Sequence, residues 1–182
     1  MRWALGIAIS LQMSVAIAQS NDGPKFDDTG KYAGNYLCVP LASGGVRWNE
    51  TAKEWQGAAF KVPPDGQFLF QIILSKRMEW KSFGFSVVGV TYQANVGPLG
   101  GHAVGCWGER EGYQPAELVG YGHILMSPDG NFRCNTHGGL DYYDFNLTTL
   151  RYQRNYHPGF VDGGDSNENT PLVEVGKCTR MD

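Results

Sequence analysis

The sequence predicts an all-β protein: a single-domain antiparallel barrel, closed or partly closed, with two disulfides and with a β-sandwich as the alternative architecture. Three observations predict it. Eight or nine short runs of alternating or apolar residues are separated by turn chemistry at regular spacing. No window carries an i, i+3, i+4, i+7 apolar stripe long enough for a helix. The 25 glycines and the 13% share of aromatic residues fit a turn-rich strand composition. A barrel is preferred because closure removes exposed strand edges.

An export signal precedes the strands. Arg2 gives a short positive start, Trp3 to Ala18 is mostly apolar, and Ala16-Ile17-Ala18 is a small-x-small cleavage pattern. A membrane-spanning helix needs roughly 20 apolar residues, and this run is shorter and broken by Ser10, Gln12 and Ser14. The reading is a signal peptide over 1–18, a polar, flexible lead over 19–34 and a β domain over 35–182. Without residues 1–18 the chain keeps 164 residues, 14 basic and 18 acidic, enough for a hydrophobic core of its own. No basic stripe interrupts this mildly acidic balance, which argues against nucleic acid as a partner. No second apolar run approaches membrane length, so no membrane span is expected.

Along the mature chain, Tyr36 to Val39 holds the first cysteine, and Val46 and Trp48 alternate. Ala58, Phe60 and Val62 alternate before the Pro63-Pro64-Asp65-Gly66 turn. Phe68, Phe70, Ile72 and Leu74 form the next strand; Leu69 and Ile73 make its other face apolar too, as for a strand covered on both sides. Phe83, Phe85 and Val87 alternate, and Val88, Val90 and Tyr92 continue in the opposite phase, which suggests a bulge or bend beside Gly89. Gly97 to Gly101 is a loop. Leu118 to Met126 and Asn131 to Asn135 are expected to pair as a hairpin across Ser127-Pro128-Asp129-Gly130. Leu140 to Phe145, Leu150 to Tyr156 and Leu172 to Cys178 complete the set. Two segments share one spacing, Trp48-Asn49-x-Thr51 to Trp55 and Phe145-Asn146-x-Thr148 to Tyr152. They read as one hairpin turn used twice, in which Asn bonds its own backbone and the flanking aromatics pack across the returning strands.

Cys38, Cys106, Cys134 and Cys178 are an even set in an exported chain and imply two disulfides. Three pairings are open. Cys38–Cys178 with Cys106–Cys134 is preferred, because strands at the two chain ends often close a β domain. Cys134-x-x-His137 has zinc-ligand spacing, but no second pair accompanies it, so neither a metal nor a cofactor is expected.

Catalytic signatures are missing. His102, His123, His137 and His157 form no recognised ligand spacing, and no G-x-S-x-G elbow is present. His123 shares strand parity with Val119, Tyr121 and Leu125, and reads as a barrel-lining histidine or a buried general base. The run Asp162 to Asn169 is oxygen-rich but lacks a calcium-loop register, so it reads as an acidic surface loop. Trp48, Trp55, Trp80 and Trp107 sit at strand ends or beside polar, glycine-rich loops. Such aromatics contact carbohydrate or protein when they are not core. The binding candidates are Trp48, Trp55, Trp107 and His123; no residue is assigned a catalytic role.

Tyr36-Leu37-Cys38, the Trp48 to Trp55 segment and the ending Pro171-Leu172-Val173-Glu174-Val175-Gly176-Lys177-Cys178 carry a resemblance. They resemble a family of small exported proteobacterial proteins with a YxC start, a W-N-x-T-x-x-x-W hairpin and a P-x-x-E-x-G-K-C ending. The match covers both ends of the mature chain and thins between about Ser75 and Asn131. It implies export and a shared fold, and carries over no catalytic or ligand residue.

The expected function is an exported, periplasmic or secreted, non-enzymatic binding module for a protein or envelope component. A lipocalin-like carrier of a small ligand is one alternative, motivated by glycine–aromatic alternation that leaves internal space. A hydrolase using His123 or His102 with a carboxylate is the other.

Overall fold

The computed structural model describes residues 25–82, 84–108, 123–136, 140–157, 161, 163–168 and 170–181. Among them are ten strands and no helix: β1 (Gly34–Asn49), β2 (Glu54–Phe60), β3 (Phe68–Ser82), β4 (Phe85–Pro98), β5 (Val104–Gly108), β6 (His123–Leu125), β7 (Asn131–Thr136), β8 (Asp141–Asn146), β9 (Arg151–Tyr156) and β10 (Leu172–Arg180). Neighbouring strands run β1-β3-β4-β5-β7-β8-β9-β10, and β10 pairs back on β1. Eight antiparallel strands therefore close a barrel, with β2 and β6 as additions. The alternative of a sandwich is set aside by that closure.

Both disulfides take the preferred pairing. Cys38 and Cys178 face each other across the β1–β10 seam that closes the wall, and Cys106 and Cys134 bridge β5 and β7. With Cys134 held in a disulfide, the Cys134-x-x-His137 spacing has lost its thiolate, the form in which cysteine binds metal; His137 lies outside the described residues.

Alternation decides which side chains enter the barrel. In β8, Asp141, Tyr143 and Phe145 are buried while Tyr142, Asp144 and Asn146 are half-buried on the other face. The inward rings form a stack: Phe70 lies 4.0 Å from Phe145, and Phe132 lies 5.2 Å from Phe145, all nearly parallel. Tyr36, Tyr92 and Tyr152 are buried with them. The barrel centre is thus occupied by aromatic side chains, where a lipocalin-like carrier needs space.

The shared hairpin spacing produces the same turn twice. Asn49 Oδ1 accepts from the Thr51 and Ala52 N–H groups, and Asn146 Oδ1 accepts from the Thr149 N–H. Lys53 and Leu150 close the two turns in the left-handed region, each with φ 55°. Trp48 packs on Trp55, and Phe145 on Tyr152, across the paired strands.

Three expectations differ in detail. First, β4 is continuous, and the bulge lies on β3 between Leu74 and Lys76, opposite Tyr92 and Thr91, not beside Gly89. Second, the Ser127–Gly130 turn forms, with Gly130 N–H donating to the Ser127 carbonyl, but β6 pairs with β4 while β7 pairs with β5 and β8. The turn therefore hands the chain to a new neighbour, and the expected hairpin ladder is absent from the described residues. Third, residues 25–33, read as the end of a flexible lead, are bound to the barrel. Asp27 N–H donates to the Met126 carbonyl, and the Asp27 carbonyl accepts from Val90 N–H, so one residue fills the seam between β4 and the end of β6. Tyr32 is buried, and its hydroxyl donates to the Pro128 carbonyl at 2.6 Å.

Candidate functional site

The four binding candidates do not form one site. Trp48 and Trp55 meet at the β1–β2 hairpin, with ring centroids 5.7 Å apart. Trp48 is only 8% exposed. Asn167 accepts from its backbone N–H and donates to its carbonyl, both at 2.9 Å, so this amide continues the edge of β1 where β10 has ended. Trp55 Nε1–H donates to Asp165 Oδ1 at 3.1 Å. The acidic run 162–169 thus supplies two groups that hold the tryptophan hairpin, and the Trp48 ring is a packing element of it. Trp107 is elsewhere, 52% exposed on β5, and His123 is half-buried on β6.

Burial and the nearby Lys76 cation both hold the His123 imidazole below its ordinary value. His102 is exposed in the loop after β4, and the His157 ring packs edge-on against Tyr142. Among the described residues, no three His, Cys, Asp or Glu side chains gather to hold a metal.

One polar cluster lies inside the barrel wall. Arg154 Nε–H donates to Asp141 Oδ1 at 2.8 Å, and the Tyr152 hydroxyl donates to Glu174 Oε1 at 2.9 Å. Burial raises the Tyr143 phenol to about 12, with Arg154 opposing and Asp141 and Glu174 adding to the rise. Burial also raises Tyr152, reinforced by Glu174. Burial alone would lower Arg154, but its bond to Asp141 and the neighbouring Tyr143 and Glu174 outweigh this and raise it. These groups satisfy one another, and the cluster reads as a polar plug. Tyr152 reaches Glu174 by lying over Gly176, where an added Cβ would overlap both the ring and the Val39 carbonyl. Gly176→Ala should therefore destabilise the fold by about 2–3 kcal/mol, measured by denaturant unfolding; an unchanged midpoint would contradict this packing.

The site that sequence reading missed is on the outer face. Strand register sets outward side chains in rows. One row runs Asn131, Asn146, Arg151, Lys177 and Val39; the next runs Arg133, Asp144, Gln153, Val175 and Ala42. All of these residues except Val39 and Ala42 line a concavity of about 770 Å³, to which Leu41 at the β1 bulge, Phe26 and Ser127 also contribute. Leu41 is 59% and Val175 42% exposed. Asn146 Nδ2–H donates to Asn131 Oδ1 and Arg133 Nε–H to Asp144 Oδ1, both at 2.6 Å. Arg151 and Lys177 stand directly opposite each other with no hydrogen-bond or ion-pair partner among the described residues. Like charges at such positions, with Cβ atoms about 4.5–5.5 Å apart, destabilise a sheet. No single segment could have disclosed this, since Arg151 and Lys177 become neighbours only through the β9–β10 register.

Compared with known protein families, curated proteins and solved structures, the chain matches none of them. No helix among the described residues is long and apolar enough to cross a membrane. The groove is therefore interpreted on its own chemistry.

Proposed function

We propose that the chain is an exported, non-enzymatic binding module that contacts an envelope component through the outer groove of β7–β10. The observation that carries this reading is the opposed, unpartnered Arg151 and Lys177 beside exposed Val175 and Leu41 in an open concavity of about 770 Å³. Concave sites of about 300–1,000 Å³ that combine apolar walls with a few polar groups are the usual form of a ligand site. Export is supported by the signal-like first 18 residues, by two disulfides, which persist in oxidising compartments, and by the family resemblance at both ends. The ring stack at the barrel centre weighs against a carrier.

The double charge reversal Arg151→Glu with Lys177→Glu should change stability by no more than about 0.5 kcal/mol, as for exposed positions. The immobilised protein should retain an envelope component from extracts, and the reversed variant should lose it. Equal retention by both proteins, or retention by neither, would remove the groove as the contact.

A further inference from the structure

Resting on that reading, we infer that the groove takes an acidic saccharide, a short sugar chain bearing carboxylate or phosphate groups. Charge comes first. The whole chain is net acidic, at −3, yet the row across β9 and β10 puts two cations face to face without a counter-charge. An anion between them turns a repulsive pair into two attractive contacts, and Arg offers a planar fork suited to carboxylate or phosphate.

The rest of the row selects hydroxyl-rich chemistry. Asn131 and Asn146 continue directly from Arg151, and Gln153 stands one row away. The Asn146 amide is held by Asn131 and by the Thr149 N–H, and Gln153 Nε2–H donates to Asn155 Oδ1, which leaves the Asn131 N–H groups and the Gln153 amide oxygen available to neighbouring hydroxyls on a ring. Val175 and Leu41 add an exposed aliphatic surface against which the C–H face of a sugar can lie. Size points the same way. A concavity of about 770 Å³ lies within the range of small-ligand sites, with room for a few sugar rings.

The test uses the disulfide-intact protein and calorimetric titration with three probes: tetragalacturonate, a neutral galactose tetrasaccharide and inorganic phosphate. Tetragalacturonate should bind, weaken with added salt, and weaken at least about tenfold in Arg151→Glu with Lys177→Glu, which is about 1.4 kcal/mol. The neutral probe should bind at least about tenfold more weakly than the acidic one. Amide-resonance changes under tetragalacturonate should fall on β7–β10. Equal binding of the neutral probe would overturn the acidic requirement, and phosphate binding as tightly as tetragalacturonate would overturn the saccharide. Binding that ignores the charge reversal would overturn the location. If no probe binds while the charge reversal still abolishes retention of the envelope component, the ligand class fails and the module reading stands. Should retention also be insensitive, both fail.

Discussion

Replacing Cys38 and Cys178 together by alanine should lower stability by about 5 kcal/mol, against about 3.5 kcal/mol for the Cys106 and Cys134 pair, by the chain-entropy relation for loops of these lengths. The sequence separations are 140 and 28 residues, so the first bridge restricts the unfolded chain far more. It also sits on the seam that turns an eight-strand sheet into a barrel. Without it, β1 and β10 are held there by their ladder alone, and the unfolded ends separate freely. Alanine is the appropriate replacement because all four sulfurs belong to buried residues, where a serine hydroxyl would need a partner. Urea unfolding of the two variants under oxidising conditions checks the order. If the Cys106–Cys134 variant were the weaker of the two, native-state strain or residual unfolded structure would outweigh loop closure.

Asp27→Ala should cost about 3–4 kcal/mol at neutral pH, as for a buried charge network losing its acceptor. Asp27 is 3% exposed and accepts from the Thr29 hydroxyl and N–H, the Gly30 N–H and the Tyr92 hydroxyl. Removing the carboxylate strands a fully buried tyrosine hydroxyl at the barrel seam. Burial pushes the Asp27 carboxyl upward, but its bonds from Thr29, Tyr92 and Gly30 outweigh this and leave it below the ordinary value. Its contribution is therefore complete above about pH 4, the value of an unfolded aspartate, and is lost as pH falls through the lower folded value. Burial, and then Asp27, raise the Tyr92 phenol. That part of the stability is complete below about pH 10 and is lost as pH rises beyond it. Unfolding midpoints of the wild type and Asp27→Asn should diverge at neutral pH and converge in acid. Parallel profiles across the acid range would mean that Asp27 titrates alike in both states.

Much of this architecture is legible in local pattern. Period-two alternation in Tyr142 to Phe145 and in Arg151 to Arg154 gives their inward and outward faces. The Asn-x-Thr spacing gives both hairpins, because the turn is closed by Asn49 or Asn146 bonding the backbone two or three residues on. What escapes is information held in register and in single side chains. Residues 25–33 have no alternation, and their order comes from Asp27 and Tyr32 reaching across the chain to Met126, Val90 and Pro128. The tryptophans were visible as candidates, but the backbone of Trp48 is tied to Asn167, 119 residues away. The groove is the extreme case: its side chains are ordinary surface residues in sequence, and only four strand pairings assemble them.

The pairing of the first barrel strand with the last also constrains how the protein is made. While Leu172 to Arg180 is still being synthesised, the earlier strands have lateral partners but no closed wall. Their unfinished edges are the kind of surface on which strands from other molecules add. Completion waits for the tail, a contact between ends that makes folding intrinsically slow. Chaperone protection before the last strand is made should therefore matter more to this chain than to a protein whose early segments fold alone. A stall or truncation before Cys178 should yield aggregate and not a smaller soluble domain.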